Sequence, residues 1–74
     1  MKYNYKLVFN DPSDMNNFIV NTYSYVLQRG DWFKAFDFMK RKSALYVCTG
    51  NYCCIDNFIL SKQRNYGYTI TKLF

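Results

Sequence analysis

Apolar residues recur at helical spacing between residues 11 and 30. The stripe follows the i, i+3, i+4, i+7 pattern and consists of Met15, Phe18, Ile19, Thr22, Tyr23, Val26 and Leu27. Asp11 can act as the N-cap, Pro12 suits the first helical turn, and Gly30 can end the helix in a left-handed conformation. The pattern therefore predicts one amphipathic helix over residues 11–30, and the rest of the chain must cover its apolar stripe.

Alternating polar and apolar residues predict a strand on the N-terminal side of this helix. The apolar face of residues 2–9 consists of Tyr3, Tyr5, Leu7 and Phe9. Residues 68–73 also alternate and predict a strand at the other end of the chain.

The segment between these elements predicts a hairpin. Residues 44–49 have the composition of a strand, and Gly50-Asn51 suits a two-residue turn in which Gly takes the positive φ. Residues 52–60 then return as the second strand of the hairpin. A helix over residues 55–64 is the alternative.

Residues 31–42 are ambiguous between a helix and a strand. A helix places Trp32, Phe36 and Met39 on one apolar stripe, and it is the assignment preferred here. Phe38 fits neither face of such a helix. A strand is the alternative, although its two faces separate polar and apolar residues less cleanly.

These elements predict the fold class α+β. A small antiparallel sheet of three or four strands packs against one amphipathic helix, with a second short helix, in the order β-α-(α)-β-β-β. The 74 residues are expected to form a single domain, because so short a chain buries only about 60% of its unfolded surface. Aromatic residues make up 22% of the chain and can compensate for the small core.

The net charge of +5 lies entirely in the second part of the chain. Residues 1–28 carry two Lys against two Asp, whereas residues 29–74 carry eight Lys or Arg against three Asp. Such a basic region indicates an acidic partner, such as nucleic acid, anionic lipid or an acidic protein surface, although moderate basicity also serves solubility alone. No apolar run approaches the ~20 residues that a membrane-spanning helix needs, so no membrane partner is expected.

The chain has three cysteines, Cys48, Cys53 and Cys54. An odd number of cysteines without an apolar leader predicts a reducing cytoplasm, that of the host cell if the protein is viral. In the predicted hairpin Cys48 lies opposite Cys53, with a Cα–Cα distance near the lower limit for a disulfide bond. The expected role of the cysteines is nevertheless that of structural thiols. The C-x4-C-C spacing lacks a fourth ligand, so neither a metal site nor a cofactor is predicted.

Residues that support acid–base catalysis are scarce. The chain has no His and no Glu, and most of its five Asp stand where turns and helix caps need them. Its three glycines are isolated and form no phosphate-binding loop. The protein is therefore predicted not to be an enzyme.

Basic and aromatic residues interleave in the second part of the chain. The candidate binding residues are Lys40, Arg41, Lys42, Lys62, Arg64, Tyr66, Tyr68 and Lys72. Lys and Arg neutralise phosphates, and exposed Tyr rings stack on unpaired bases. The structural alternative treats the basic triplet as favourable cations at a helix C-terminus and Tyr66-Gly67-Tyr68 as a hairpin corner.

The run from Arg64 to Thr71 matches in part the RNP1 motif of RNA-recognition domains. It agrees at Arg64, Tyr66 and Gly67 and differs at the second and last positions. That domain also carries the motif on a central strand of a β-α-β-β-α-β fold, which is not the order predicted here. The chain is therefore not assigned to that family.

Two classes of function remain. The first is a small non-enzymatic binding or inhibitor protein that masks a host protein or nucleoprotein. The composition is typical of AT-rich genomes, such as those of many phages, so a phage counter-defence protein (for example an anti-CRISPR protein) is one concrete form. The second class is a direct nucleic-acid-binding protein that uses a basic–aromatic hairpin over residues 62–72. A homodimer that pairs through the edge of the first or last strand is compatible with either class.

Overall fold

The computed structural model describes residues 3–24, 27–29, 31–48 and 53–73, except for the side chains of residue 29 and residues 53–56. Its elements are β1 (Tyr5–Phe9), α1 (Pro12–Thr22), a 3₁₀ turn (Leu27–Arg29), β2 (Trp32–Asp37), β3 (Lys42–Val47), α2 (Cys53–Tyr66) and β4 (Tyr68–Lys72). The four strands form one antiparallel sheet, and core residues of both helices pack against one of its faces. The predicted α+β class is thus confirmed.

The strands lie in the order β2-β3-β1-β4, and each neighbouring pair is antiparallel. Among the described strands β2 and β4 are the edges and β1 is central. Of the two strands considered as possible edges, the last is therefore one and the first is not. The chain order β-α-β-β-α-β is that of the ferredoxin-like, or split β-α-β, arrangement. It roughly matches the predicted order and differs from it in the position of the second helix. Because many unrelated functions occur on this arrangement, it does not by itself indicate a function.

Aromatic rings join the two layers of the domain. The ring of Phe18 on α1 lies 5.7 Å from that of Phe9 on β1, and 5.3 Å from those of Tyr66 and Tyr68. The buried core residues are Tyr5, Leu7, Phe9, Met15, Phe18, Leu27, Leu45, Val47, Ile59 and Tyr68. The aromatic content of the sequence thus supplies much of the core of this small domain.

Helix α1 starts where the sequence predicts but ends earlier. Asp11 takes the extended N-cap conformation, and its Oδ1 accepts a hydrogen bond from the Ser13 N–H at 2.9 Å. The predicted end at Gly30 is wrong, because the α-helix stops at Thr22. The Thr22 hydroxyl donates to the Phe18 carbonyl oxygen at 2.6 Å, and back-bonding of this kind weakens and bends helices.

Residues 31–42 form a strand and a turn, so the predicted helix there is wrong. β2 lies at the edge of the sheet, and Phe33 and Phe36 are both exposed although they lie on opposite faces of the strand. Such a strand lacks the clean alternation that marks a half-buried one. The helical spacing of Trp32, Phe36 and Met39 was therefore misleading.

Residues 53–66 form a helix, so the return strand predicted over residues 52–60 is wrong and the alternative helix over residues 55–64 is confirmed. Phe58 and Ile59 on α2 pack into the core beneath the sheet. In the sequence Ile55, Phe58 and Ile59 follow the i, i+3, i+4 pattern, which is the local helical signal that the predicted hairpin overrode.

The predicted pairing of cysteines across a hairpin is also corrected. Cys48 follows β3 and carries a free thiol, whereas Cys53 begins α2, so the two are not cross-strand neighbours. The Gly50-Asn51 turn lies outside the described residues.

A bulge at the start of β1 changes the face on which Tyr3 lies. The Asn4 N–H donates to the Val47 carbonyl oxygen at 3.1 Å, although Val47 is the register partner of Tyr5. Asn4 and Tyr5 thus both lie opposite one residue of β3, as in a β-bulge. The ring of Tyr3 consequently lies 6.2 Å from that of Tyr46, on the sheet face away from the helices, and not with Tyr5 as predicted.

Gly67 connects α2 to β4 in a left-handed conformation. Its φ is +68°, and its N–H donates to the Gln63 carbonyl oxygen at 2.8 Å, which ends the helix. Apart from its two chain neighbours, no described residue has an atom within 4 Å of the position that a Cβ would occupy, so only the backbone conformation opposes a side chain here.

We expect Gly67→Ala to lower the free energy of unfolding by roughly 1–2 kcal/mol, because an L-residue is strained in this conformation. Chemical denaturation monitored by circular dichroism measures the loss. Gly67→Asn is the matched control and should cost less, since Asn tolerates left-handed backbone. Equal losses for both variants would contradict this explanation.

Candidate functional site

The predicted binding residues do not form one patch. Lys40 and Arg41 lie exposed in the turn between β2 and β3, and Lys42 begins β3. Arg64 is exposed on the last turn of α2, which reaches the same end of the sheet. Lys72 lies at the opposite end, because it pairs with the first residue of β1 and not the last.

The predicted basic–aromatic hairpin over residues 62–72 is wrong, since Lys62, Arg64 and Tyr66 belong to α2. The Lys62 ammonium lies 5.7 Å from the centre of the Phe58 ring, within reach of a cation–π contact.

Tyr66 and Tyr68 are packed against the core. The Tyr66 ring meets Phe18 edge-on, and its hydroxyl oxygen accepts a hydrogen bond from Asn21 Nδ2 at 3.1 Å. Tyr68 is buried, and its hydroxyl donates to the Ile59 carbonyl oxygen. Burial, with a smaller effect from neighbouring Tyr66, raises the pKa of Tyr68 well above its ordinary value. The Tyr68 ring is therefore not available to stack on a base.

The end of β2 and the turn to β3 expose large apolar side chains. The solvent-exposed fractions of Phe36, Phe38 and Met39 are 53%, 82% and 94%, and the rings of the two Phe residues lie 5.0 Å apart. Lys40 and Arg41 follow directly. We call these five residues the hairpin tip.

The hairpin tip has a defined backbone conformation. The Asp37 Oδ1 accepts a hydrogen bond from the Lys40 N–H at 3.4 Å, and Arg41 takes the left-handed conformation with φ of +53°. Lys40 and Arg41 were predicted from the sequence as binding residues, whereas Phe36 and Met39 were predicted to lie on an apolar helical stripe. Phe38, which fits neither face of the predicted helix, was the available signal for an exposed turn.

The sheet face away from the helices carries an aromatic cluster. Phe33 and Tyr46 stack in parallel with ring centres 4.6 Å apart, and Tyr3 meets Phe33 edge-on at 4.9 Å. The Lys6 ammonium lies 5.7 Å from the centre of the Tyr46 ring. Tyr3 and Tyr46 are half-buried, whereas Phe33 remains exposed.

An ion pair crosses the same face. Lys6 Nζ on β1 lies 2.9 Å from Asp37 Oδ2 on β2, although β3 separates the two strands. In the register Lys6 pairs with Tyr46 and Asp37 pairs with Lys42, so Ala44 stands midway between them on β3. Ala44 is only 1% exposed yet lies outside the main core, which indicates that the two charged side chains meet above it.

The pKa values of Lys6 and Asp37 are shifted from their ordinary values in the directions expected for an ion pair. The hydrogen bond with Lys6 holds the pKa of Asp37 below its ordinary value, against an opposing effect of burial. The hydrogen bond with Asp37 raises the pKa of Lys6, again against burial, and the nearby Tyr46 adds to the increase. The positive charge of Lys6 is consequently balanced by the carboxylate of Asp37, so Lys6 is a poor candidate for binding phosphate.

No group of three or more His, Cys, Asp or Glu side chains that could hold a metal occurs in the part of the chain that the structure describes. Over the same part, no helix has both the length and the apolar character to cross a membrane.

In comparisons with known proteins, no protein-family model, no curated protein and no solved structure matches this chain. Its residues and their geometry therefore carry the functional argument alone.

Proposed function

We propose that this chain is a small non-enzymatic protein-binding module that contacts its partner through the hairpin tip. The exposure of Phe36, Phe38 and Met39 at one end of the β2–β3 hairpin carries the proposal. Contiguous exposed apolar side chains with a polar rim are characteristic of interaction sites. Phe, Met and Arg are also enriched at protein interfaces, and Arg41 stands beside the apolar residues.

The anchoring of the hairpin tip supports this role. Asp37 bonds both to the turn backbone at Lys40 and to Lys6 two strands away, so the turn is tied to the sheet. A contact surface that is already ordered loses less conformational entropy on binding. The tip is therefore suited to rigid docking.

Direct nucleic-acid binding has less support. Lys72 lies at the other end of the sheet from the hairpin tip, Tyr68 is buried, and Lys6 is paired with Asp37. Action as an inhibitor that masks a host protein, as a phage anti-CRISPR protein would do, remains a prediction from length and composition.

The double variant Phe38→Ser/Met39→Ser tests the proposal. Because both side chains are exposed, we expect the free energy of unfolding to change by less than about 0.5 kcal/mol for each substitution. The variant should lose, by at least about tenfold, the proteins that the native chain captures from a nuclease-treated bacterial lysate. Quantitative mass spectrometry of the captured proteins provides the measurement.

Val20→Ser/Leu60→Ser is the matched control, since it removes two exposed apolar side chains from the helices. It should capture the same proteins as the native chain. Undiminished capture by the hairpin-tip variant would overturn the proposed function. Capture that disappears after nuclease treatment would instead favour the nucleic-acid class.

A further inference from the structure

The outer edge of β2 offers a regular backbone for pairing. β2 pairs with β3 over six consecutive positions, from Trp32 opposite Val47 to Asp37 opposite Lys42, with no bulge. No other described strand pairs with β2. Six residues of strand present an edge about 20 Å long.

The register identifies the backbone groups that point away from the sheet. The Cys48 N–H donates to the Asp31 carbonyl oxygen at 2.8 Å, and these residues continue the β2–β3 register. Hydrogen-bonded and non-hydrogen-bonded pairs alternate along an antiparallel ladder. The backbone groups of Trp32, Lys34 and Phe36 therefore point outwards, and none of them has a partner among the described residues.

Lys34 opposes pairing with a second copy of the chain. A second β2 strand that bonded antiparallel to all three outward-pointing residues would set Trp32 opposite Phe36 and Lys34 opposite Lys34. Like charges directly opposite each other destabilise a strand pair. Lysine on an edge strand is also a common protection against self-association.

The same lysine favours a partner of opposite charge. Lys34 is exposed near the middle of β2, and Lys40 and Arg41 stand exposed where the hairpin ends. A strand that lay along β2 would thus pass Lys34 and reach Lys40 and Arg41 at the hairpin tip. An acidic residue opposite Lys34 would complement its charge, and apolar residues could face Trp32 and Phe36.

We propose that β2 takes up an extended acidic segment of a partner protein as an added strand. Main-chain hydrogen bonds to Trp32, Lys34 and Phe36 supply the pairing, and the carboxylate opposite Lys34 selects the partner. This inference rests on the proposed function and specifies the chemistry of the partner.

The probe is a blocked nine-residue peptide with the central sequence valine-threonine-glutamate-threonine-valine, added to the full chain. Its matched control has lysine in place of glutamate. Trp32 is the only tryptophan of the chain, so its fluorescence reports occupation of the edge. We expect the acidic peptide to bind about fivefold or more tightly than the lysine peptide.

Charge reversal sharpens the test. The variant Lys34→Glu should reverse the preference and bind the lysine peptide more tightly. Equal affinity of the native chain for both peptides, or an unchanged preference in Lys34→Glu, would overturn the role of Lys34.

A backbone substitution separates strand pairing from charge. Lys34→Pro removes an outward N–H and no hydrogen bond to β3, so the fold should remain intact, as proline is tolerated on such edges. It should bind the acidic peptide at least about tenfold more weakly than Lys34→Gln, which lacks the charge but keeps the N–H. Similar affinities of the two variants would exclude strand addition.

The remaining outcomes distinguish this inference from the proposed function. If neither peptide binds while Phe38→Ser/Met39→Ser still loses its captured proteins, edge pairing is overturned and the protein-binding function stands. If the Trp32 fluorescence changes with protein concentration and sedimentation shows a dimer, the edge of β2 pairs with a second copy of the chain. Binding of single-stranded oligothymidylate at Trp32 without binding of the acidic peptide would assign it to nucleic acid.

Discussion

The variant Phe18→Ala is expected to be far less stable to denaturation than the native chain. Truncation of a buried Phe typically costs about 3–5 kcal/mol, and a domain of this size is expected to be stable by only about 5–10 kcal/mol. Phe18 is fully buried, and its ring touches those of Phe9, Tyr66 and Tyr68. Its removal leaves a cavity where α1, α2, β1 and β4 meet.

Urea denaturation of Phe18→Ala, followed by near- and far-ultraviolet circular dichroism, measures this loss. Val20→Ala, on the exposed side of the same helix, is the matched control and should change the free energy of unfolding by less than about 0.5 kcal/mol. A native-like denaturation midpoint for Phe18→Ala would contradict the central position of this ring in the core.

Ala44→Leu is expected to destabilise the domain by about 1–3 kcal/mol, the usual cost of adding methylene groups to a packed site. Ala44 lies beneath the ion pair of Lys6 and Asp37, and there is room for only a small side chain at that position. A leucine side chain would push the two charged groups apart. The effect thus depends on the ion pair.

A double-mutant comparison tests this dependence. In the background Lys6→Ala/Asp37→Ala, the two side chains above position 44 are absent, so Ala44→Leu should cost less than half as much. Denaturation midpoints of the four proteins provide the measurement. An equal cost in both backgrounds would show that the leucine is opposed by other neighbours.

The pH dependence of stability gives an independent readout of the same contact. The pKa of Asp37 in the folded protein is lower than its ordinary value of 3.8, because Lys6 stabilises the carboxylate. The stabilisation it provides is therefore present above pH 3.8 and is lost as the pH falls through the lower, folded-state pKa. Ala44→Leu should remove this part of the acid dependence.

In two segments the secondary structure is the reverse of the one predicted from the sequence: a predicted helix is a strand, and a predicted strand is a helix. Residues 31–42 showed a helical spacing of Trp32 and Phe36 but form an edge strand and a turn. Residues 53–66 also had helical spacing, yet Gly50-Asn51 favoured a hairpin in the local sequence. Local preferences of short segments are weak compared with the free energy gained by burying them in a particular place.

The candidate site was predicted in part. The cations Lys40 and Arg41 do lie on an exposed turn, but their apolar neighbours Phe38 and Met39 were the residues missed. Arg64 and Tyr66 were grouped with them because they share a composition, whereas the fold puts them on α2. Composition identifies the kinds of residues available for binding and says little about which of them share a surface.

The sequence by itself determined where α1 begins, which segments have strand-forming composition, and where the excess positive charge lies, because these properties depend on residues close together in the chain. Only the tertiary structure decided that β2 is an edge, that Tyr68 is buried while Phe38 is exposed, and that Ala44 lies under an ion pair. Each of these depends on which strands become neighbours. Pairings such as Phe9 with Tyr68 join distant parts of the chain, and the burial of a side chain follows from them.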